Sequence, residues 1–156
     1  MLIYISFNPL DIKKQNFHDV PILELKKFTM YELSDSGLET FMIGDSATRY
    51  ADRYVVSKIS YTDNSKDMIA SMEADYGLYK NDKVILNGDV IYAREDGLTI
   101  KSQRIDYDKK TSVAISENKY IAFLNKNKIT GSYLKYNGIK RKIYSKDIFV
   151  IYQIKD

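Results

Sequence analysis

After Pro21, short runs of β-branched and aromatic residues alternate with polar residues and are separated by turn signals. Tyrosine occurs 14 times in the chain, and no proline follows Pro21. Such runs between turns are typical of strands, so the pattern predicts an all-β fold. The clearest turn pairs each supply a residue that tolerates a positive φ; they are Ser36-Gly37, Asn87-Gly88, Asp96-Gly97 and Asn137-Gly138.

Four segments place an isoleucine seven residues before a tyrosine: Ile43–Tyr50, Ile69–Tyr76, Ile100–Tyr107 and Ile129–Tyr136. We call them the boxes. They recur with a loose period of about 30 residues, which indicates stacked supersecondary units, here of two strands each. An odd spacing puts isoleucine and tyrosine on opposite faces of a straight strand. We therefore predict a β-bulge or corner inside each box that turns both side chains toward the interior.

The second box allows a helical alternative. In NSKDMIASMEADYGLY, Ser65 is a suitable N-cap, and Met68, Met72, Tyr76 and Tyr79 follow at helical spacing. Its counterpart ITGSYLKYNG contains two glycines and residues of high β-propensity, which argue against a helix. Because equivalent units share one conformation, we predict a strand in the second box as well.

Length and composition indicate one soluble domain. The chain has 156 residues, 44% of them hydrophobic and 29% charged, and a chain of this size buries roughly two thirds of its unfolded surface without a disulfide or metal. Cysteine is absent, which excludes thiolate catalysis and iron–sulfur ligation. A net charge of +3 spread along the chain does not suggest nucleic-acid binding. We interpret the densest basic cluster, Lys140-Arg141-Lys142, as a solvated turn or strand face rather than a phosphate site.

Candidate catalytic groups are few. His18 is the only histidine and has no Ser or Cys partner at a recognisable nucleophile elbow. We interpret the carboxylates at Glu95-Asp96 as part of a turn, and Asp106 and Asp108 as a strand end, rather than as glycosidase acids or a calcium site. No Gly-rich nucleotide-binding fingerprint occurs. The sequence therefore predicts a protein that is not an enzyme and has no cofactor and no metal.

Residues 1–19 form a separate lead-in that we expect to be helical or irregular. Their apolar start, MLIYISF, ends at Asn8-Pro9 and is too short to span a bilayer, which takes about 20 residues. It is either the end of a longer membrane anchor or a terminus docked on the domain. Pro21 blocks a continuous helix, so we place the β-domain at residues 20–156.

The order of three degenerate motifs over residues 20–156 resembles the periplasmic lipopolysaccharide-export family of LptC and its LptA and OstA-like relatives. FTMYELSDSGLETFMIGDSATRY is similar to the opening hairpin and A-x-x-Y box of that family. VILNGDVIYAREDGLTIKSQRIDYD is similar to its L-x-G-x-V repeat, and ITGSYLKYNGIKRKIYSKDIFVIYQI to its C-terminal G-x-x-L-x-Y unit and last strands.

The resemblance implies a twisted, partly open antiparallel β-jelly-roll, folded like a taco shell, whose apolar interior shelters lipid acyl chains. It further implies transfer of lipopolysaccharide from an inner-membrane ABC transporter complex to an LptA-like periplasmic protein, through pairing of sheet edges. The implied location is the periplasm, with anchoring to the inner membrane in the full-length protein. A member of this kind begins with a full transmembrane helix, whereas only MLIYISF precedes Asn8-Pro9; we favour the anchored member over a soluble LptA-like bridge.

We expect the groove to be lined by one face of the second return strand, by later return strands, and by box isoleucines. These residues are Val84, Leu86, Val90 and Tyr92, then Val113, Ile115, Ile148 and Val150, and finally Ile69, Ile100 and Ile129. Core packing is the alternative for each, since any jelly-roll interior is apolar. We expect a bulky polar residue at Leu86 or Val113 to block lipid crosslinking while the fold survives.

A different class of function is a repeat-built scaffold or adhesion domain that binds protein or glycan through its edges and tyrosine-rich faces. Retention of lipid, or thermal stabilisation by lipopolysaccharide, distinguishes the two, because a ligand of the native state stabilises it.

Overall fold

The computed structural model describes residues 19–65 and 67–154, and within them the chain is one antiparallel sheet without an α-helix. The all-β prediction is confirmed, and β4 is a strand where the helical alternative stood. The strands are β1 (Leu23–Ser34), β2 (Gly37–Arg49), β3 (Tyr54–Asp63), β4 (Ala70–Lys80), β5 (Lys83–Arg94), β6 (Leu98–Asp108), β7 (Val113–Ser116), β8 (Tyr120–Leu124), β9 (Asn127–Gly131), β10 (Tyr133–Asn137), β11 (Lys142–Lys146) and β12 (Phe149–Ile151).

Strands β1 to β6 pair in chain order, and the sheet then divides in two. The first half of β6 pairs with β8, which pairs with β9, which pairs with β12. The second half of β6 pairs with β7, which pairs with β10, which pairs with β11. β7 and β8 are therefore one interrupted pass of the chain, as are β9 with β10 and β11 with β12.

Each pass of the chain bends near its middle. The β4–β5 register shifts between Glu73 and Tyr76, and the β5–β6 register shifts between Asn87 and Val90. Lys27, Lys58 and Asp89 lie at this level with φ of 48°, 49° and 44°, and Asp147 lies between β11 and β12 with φ of 51°. Residues in the left-handed region redirect the chain, so the whole sheet folds along a line that we call the crease.

The crease separates two half-sheets that face each other. The first wall comprises residues 23–26, 46–49, 54–57, 76–80, 83–87 and 104–108 with β7, β10 and β11; the second wall comprises residues 28–34, 37–43, 59–63, 70–74, 90–94 and 98–102 with β8, β9 and β12. The core cluster joins Val56 and Leu86 of the first wall to Ile59, Met72 and Val90 of the second. The result is the twisted, partly open β-jelly-roll that the resemblance implied.

Polar contacts follow the crease. Lys58 pairs with Asp75, and Gln103 donates to Asp89 at 2.9 Å. Gly88 has a φ of +82°, and a Cβ there would lie 2.6 Å from Asp75 Oδ2. Glycine therefore meets two demands at once, the left-handed backbone and the close approach of the Asp75 side chain.

The predicted bend brings both ends of the last two boxes inward. Ile100 is buried and Tyr107 is half-buried, and Ile129 and Tyr136 are both half-buried, so the prediction is confirmed there. The second box also bends, but Ile69 and Tyr76 are 42% and 61% exposed. The prediction that both side chains face the interior is wrong in this box, because the alternation of side chains before the bulge turns Met72 and Ala74 toward the core instead.

The first box does not fit the prediction either. Ile43 is 43% exposed, while its neighbours Met42 and Gly44 face the core. Ile43 is one residue out of phase with the interior, and with period-two alternation one residue is enough to reverse the face.

Candidate binding groove

A groove of about 540 Å³ lies between the two walls, away from the crease. Its size falls within the range of roughly 300–1,000 Å³ that is typical of ligand sites. Strand β4, the second half of β5 and the first half of β6 form one side, and the second half of β6 forms the other side with β7, β10 and β11. Most bordering side chains are apolar or aromatic: Ala70, Met72, Tyr92, Ile100, Ile105, Tyr107, Ala114, Leu134, Tyr136, Ile139 and Ile143.

The apolar surface of the groove continues to its rim. Ile100, Ile105 and Leu134 are buried and form its floor, whereas Ile139 and Ile143 border the same groove with 71% and 57% of their surface exposed. Exposed aliphatic side chains that continue a buried apolar floor mark a surface that a ligand or partner can cover.

Arg94 bridges the two walls inside the groove. Its Nη1 donates to the hydroxyl of Tyr136 on the opposite wall at 3.1 Å. Its Nε and Nη2 donate to Asp96 at 2.9 and 2.5 Å, and this carboxylate raises the pKa of Arg94. Burial raises the pKa of Tyr92, which also borders the groove. Arg94 is therefore a permanent cation and Tyr92 a neutral phenol, so polar groups are available among the apolar ones.

A second contact crosses the open side of the groove, which we call the slit. Arg141, in the turn after β10, lies 3.9 Å from Asp67, in the loop before β4. Their side chains are 70% and 96% exposed, and ion pairs of this kind contribute little, typically about 0–1 kcal/mol. The Arg94–Tyr136 and Arg141–Asp67 contacts involve side chains alone, so the slit can open without breaking strand pairs.

Four of the predicted groove residues share one face of β5, as expected. Leu86 and Val90 are 1% and 0% exposed, and Val84 and Tyr92 pack against their cluster. Of these four only Tyr92 borders the groove. Leu86 is part of the core that joins the walls, so we expect a bulky polar residue there to destabilise the fold, and the position is a poor test of the groove.

On strand β7, the residues that face the interior alternate with the two that were predicted to do so. Ala114 packs against the core, and Ser116 is buried with a 2.7 Å hydrogen bond to Ser102. Val113 and Ile115 alternate with them and so point to the opposite face. Val113 is not among the residues that border the groove, whereas Ile115, which has the same parity as Val113, is among them.

The remaining predicted residues fall into three groups. Ile100 borders the groove. Ile69 and Ile148 are 42% and 55% exposed and precede β4 and β12. Ile129 and Val150 are half-buried register partners on the second wall, outside the groove.

Sequence reasoning did not single out Ile105, Leu134, Ile139 or Ile143 as groove residues. Tyr107 and Tyr136, at the ends of their boxes, were available from the predicted bend, because turning both box ends inward puts the tyrosines in the interior. Ile139 and Ile143 had no comparable signal, since they flank a basic turn and read as surface residues.

Two features are absent from the described part of the chain. In it, no helix is long and apolar enough to span a membrane. Nor do its aspartate and glutamate side chains form a group of three or more that could hold a metal ion.

Comparison with known proteins identifies a family and similar solved structures, of which one is described here. The sequence model of the family described as lipopolysaccharide-assembly, LptC-related, matches residues 1–144. No curated protein matches the chain. The crystal structure of LptH, the LptA-homologous periplasmic component of the conserved lipopolysaccharide transport device of Pseudomonas aeruginosa, is similar over 90% of this chain and 100% of that one, with a TM-score of 0.58. The two sequences are 12% identical, so this likeness concerns the fold.

Proposed function

This chain belongs to the LptC-related family of lipopolysaccharide-assembly proteins, and from that premise we propose that its groove shelters lipopolysaccharide acyl chains in transit. Membership makes it a non-catalytic periplasmic component of lipopolysaccharide transport. Its partners are lipopolysaccharide, the inner-membrane ABC transporter and an LptA-like protein. The proposal adds the route: acyl chains pass from the transporter through the groove to the periplasmic bridge protein.

The observation that carries the proposal is an apolar groove with an open slit between two walls of one sheet. An acyl chain in the groove gains about 0.8 kcal/mol for each methylene that leaves water, and it needs few directional contacts. The exposed rim residues Ile139 and Ile143 extend the surface available to such chains. A slit also suits a lipid with a large polar headgroup, because the headgroup can stay in water while the chains are buried.

The open edges of the sheet support handover by strand pairing. Within the described residues, β1 pairs only with β2, β11 only with β10 and β12 only with β9. Unpaired edges are templates for a strand of another chain. Apolar side chains are exposed near both ends, among them Tyr31 and Leu33 on β1, and Phe149 and Tyr152 on or beside β12.

We propose that the two ends face different partners. Residues 1–18 lie outside the described residues, and their apolar segment would place β1 near the inner membrane if it ends an anchor. The edge formed by β11 and β12 would then face the LptA-like protein. The same proposal assigns residues 20–156 to the lipid-binding domain.

Ile143 and Tyr144 test the groove, because they are neighbours on β11, are both 57% exposed and point to opposite faces. Only Ile143 borders the groove. We expect Ile143→Asp to weaken lipopolysaccharide binding at least about tenfold, because it removes roughly 1.5–3 kcal/mol of apolar burial and adds a charge. Tyr144→Asp should bind as the unchanged protein does. Titration with fluorescent lipopolysaccharide measures both, and equal effects of the two variants would contradict a groove on this face.

A pair of double variants tests the edge. Phe149→Lys with Tyr152→Lys replaces side chains that are 65% and 72% exposed at the C-terminal edge, and Tyr31→Lys with Leu33→Lys replaces side chains that are 59% and 71% exposed on β1. We expect the first to reduce affinity for the LptA-like partner about tenfold or more and the second to leave it unchanged, because interface anchors are buried apolar or aromatic groups. Surface-immobilised partner binding measures this, with lipid binding as a control for folding. If the β1 variant lost affinity for the partner and the C-terminal variant did not, the partner would be assigned to β1.

A further inference from the structure

The basic cluster Lys140-Arg141-Lys142 lies at the lip of the groove. Residues 138–141 form the turn between β10 and β11, and Lys142 begins β11. Arg141 borders the groove itself, beside the exposed apolar Ile139. An aliphatic side chain and a guanidinium of the same turn therefore both border the groove and are both largely exposed to water. This is the order of groups along a lipid that has apolar chains and an anionic headgroup.

The cations of this turn are weakly engaged. Among the described residues, Arg141 forms an ion pair with Asp67 alone, at 3.9 Å and with both side chains largely exposed. Lys140 and Lys142 form no ion pair among the described residues. By contrast, Arg94, the other cation that borders the groove, is held by two hydrogen bonds to Asp96. The turn, not Arg94, carries the charge that a ligand can recruit.

Acidic groups on the opposite lip do not neutralise the turn. Asp63 also borders the groove, but its Oδ1 accepts hydrogen bonds from the backbone N and hydroxyl of Ser65. Asp67 is 96% exposed, so it can yield to a stronger anion at little cost. A phosphate accepts paired hydrogen bonds from a guanidinium fork.

Resting on the function proposed above, we infer that Arg141, with Lys140, binds a phosphate group on the headgroup of the lipid whose acyl chains occupy the groove. The acyl chains fill the space between the walls, and the headgroup leaves through the slit beside Arg141. The turn then adds a preference for phosphorylated lipid to a groove that otherwise binds by apolar burial.

The experiment compares two double variants of the full chain. The double variant Lys140→Gln with Arg141→Gln removes two adjacent charges from the lip. One of the two residues, Arg141, has a left-handed backbone with a φ of 50°, so the control must also include a left-handed residue. Lys26→Gln with Lys27→Gln removes two adjacent exposed charges from β1, with φ of 48° at Lys27, and neither lysine borders the groove. Each protein is titrated with phosphorylated lipopolysaccharide and with the same lipid after chemical removal of its phosphates.

We expect the lip variant to bind phosphorylated lipopolysaccharide about tenfold more weakly, in line with loss of a charge-assisted hydrogen bond, and the dephosphorylated lipid unchanged. The β1 variant should match the unchanged protein with both. Equal weakening for both lipids, or none for either, would overturn the inference. Failure of the unchanged protein to bind either lipid would overturn the groove function itself, whereas equal binding of both lipids would overturn only the headgroup site.

Discussion

Replacing Leu86 by alanine is expected to lower the free energy of unfolding by about 2–5 kcal/mol, the range for large-to-small changes in a packed core. Leu86 is 1% exposed and belongs to the cluster in which first-wall and second-wall residues meet. The cavity would lie near the crease, opposite Gly77, the register partner of Leu86, where an added Cβ would lie 3.5 Å from the Leu86 side chain. Denaturant unfolding followed by circular dichroism measures the change.

Ile143→Ala is the matched control for this prediction. It removes a side chain of the same size, but from a position that is 57% exposed, and surface changes usually stay within about 0.5 kcal/mol. Replacing Leu86 should therefore lower stability, whereas replacing Ile143 should weaken lipid binding. A Leu86→Ala protein of unchanged stability and weakened lipid binding would return Leu86 to the groove and contradict the division between core and groove.

The strand assignments could be predicted because local patterns determine them. Alternation on β5 placed Val84, Leu86, Val90 and Tyr92 on one interior face, and the odd spacing of the boxes required a bend. Both follow from the period-two geometry of a strand. The bend does not determine which face of the strand turns inward, however. Ile43 and Ile69 are exposed, which shows that a shift of one residue in the alternation exchanges the inward and outward side chains.

The local pattern is silent where a strand has apolar residues on both faces. Val113, Ala114 and Ile115 form such a run on β7, and only the pairing of Tyr107 and Tyr136 with Ala114 fixes its phase. Ile148 lies in the break between β11 and β12, where alternation does not apply.

The division between core and groove depends on the distance of a residue from the crease. Leu86 and Tyr92 share a face of β5, yet Leu86 packs between the walls and Tyr92 borders the open space. The same long-range folding brings Asp67 and Arg141 together, although they are distant in sequence. Sequence reading treated the basic turn as a solvated one because nothing local indicates which loop faces it.

Joining the two lips of the slit should abolish lipid uptake. In the double variant Asp67→Cys with Arg141→Cys, a bifunctional maleimide would tie the walls together at the point where the native side chains already approach. The chain contains no cysteine, so the linkage is site-specific. If acyl chains enter sideways between the walls, the tethered protein should take up fluorescent lipopolysaccharide only at background level, a loss of at least about tenfold.

The same double variant treated with a monofunctional maleimide is the control, because it loses Asp67 and Arg141 and gains the same adducts without a bridge. It should load lipid nearly as well as the untreated variant. Tethering after loading should have the opposite effect and slow lipid release, since a ligand enclosed by the walls leaves only when they separate. Normal uptake by the tethered protein would mean that acyl chains thread into the groove from its ends, where neighbouring transport modules join the sheet, and that the slit admits only the headgroup.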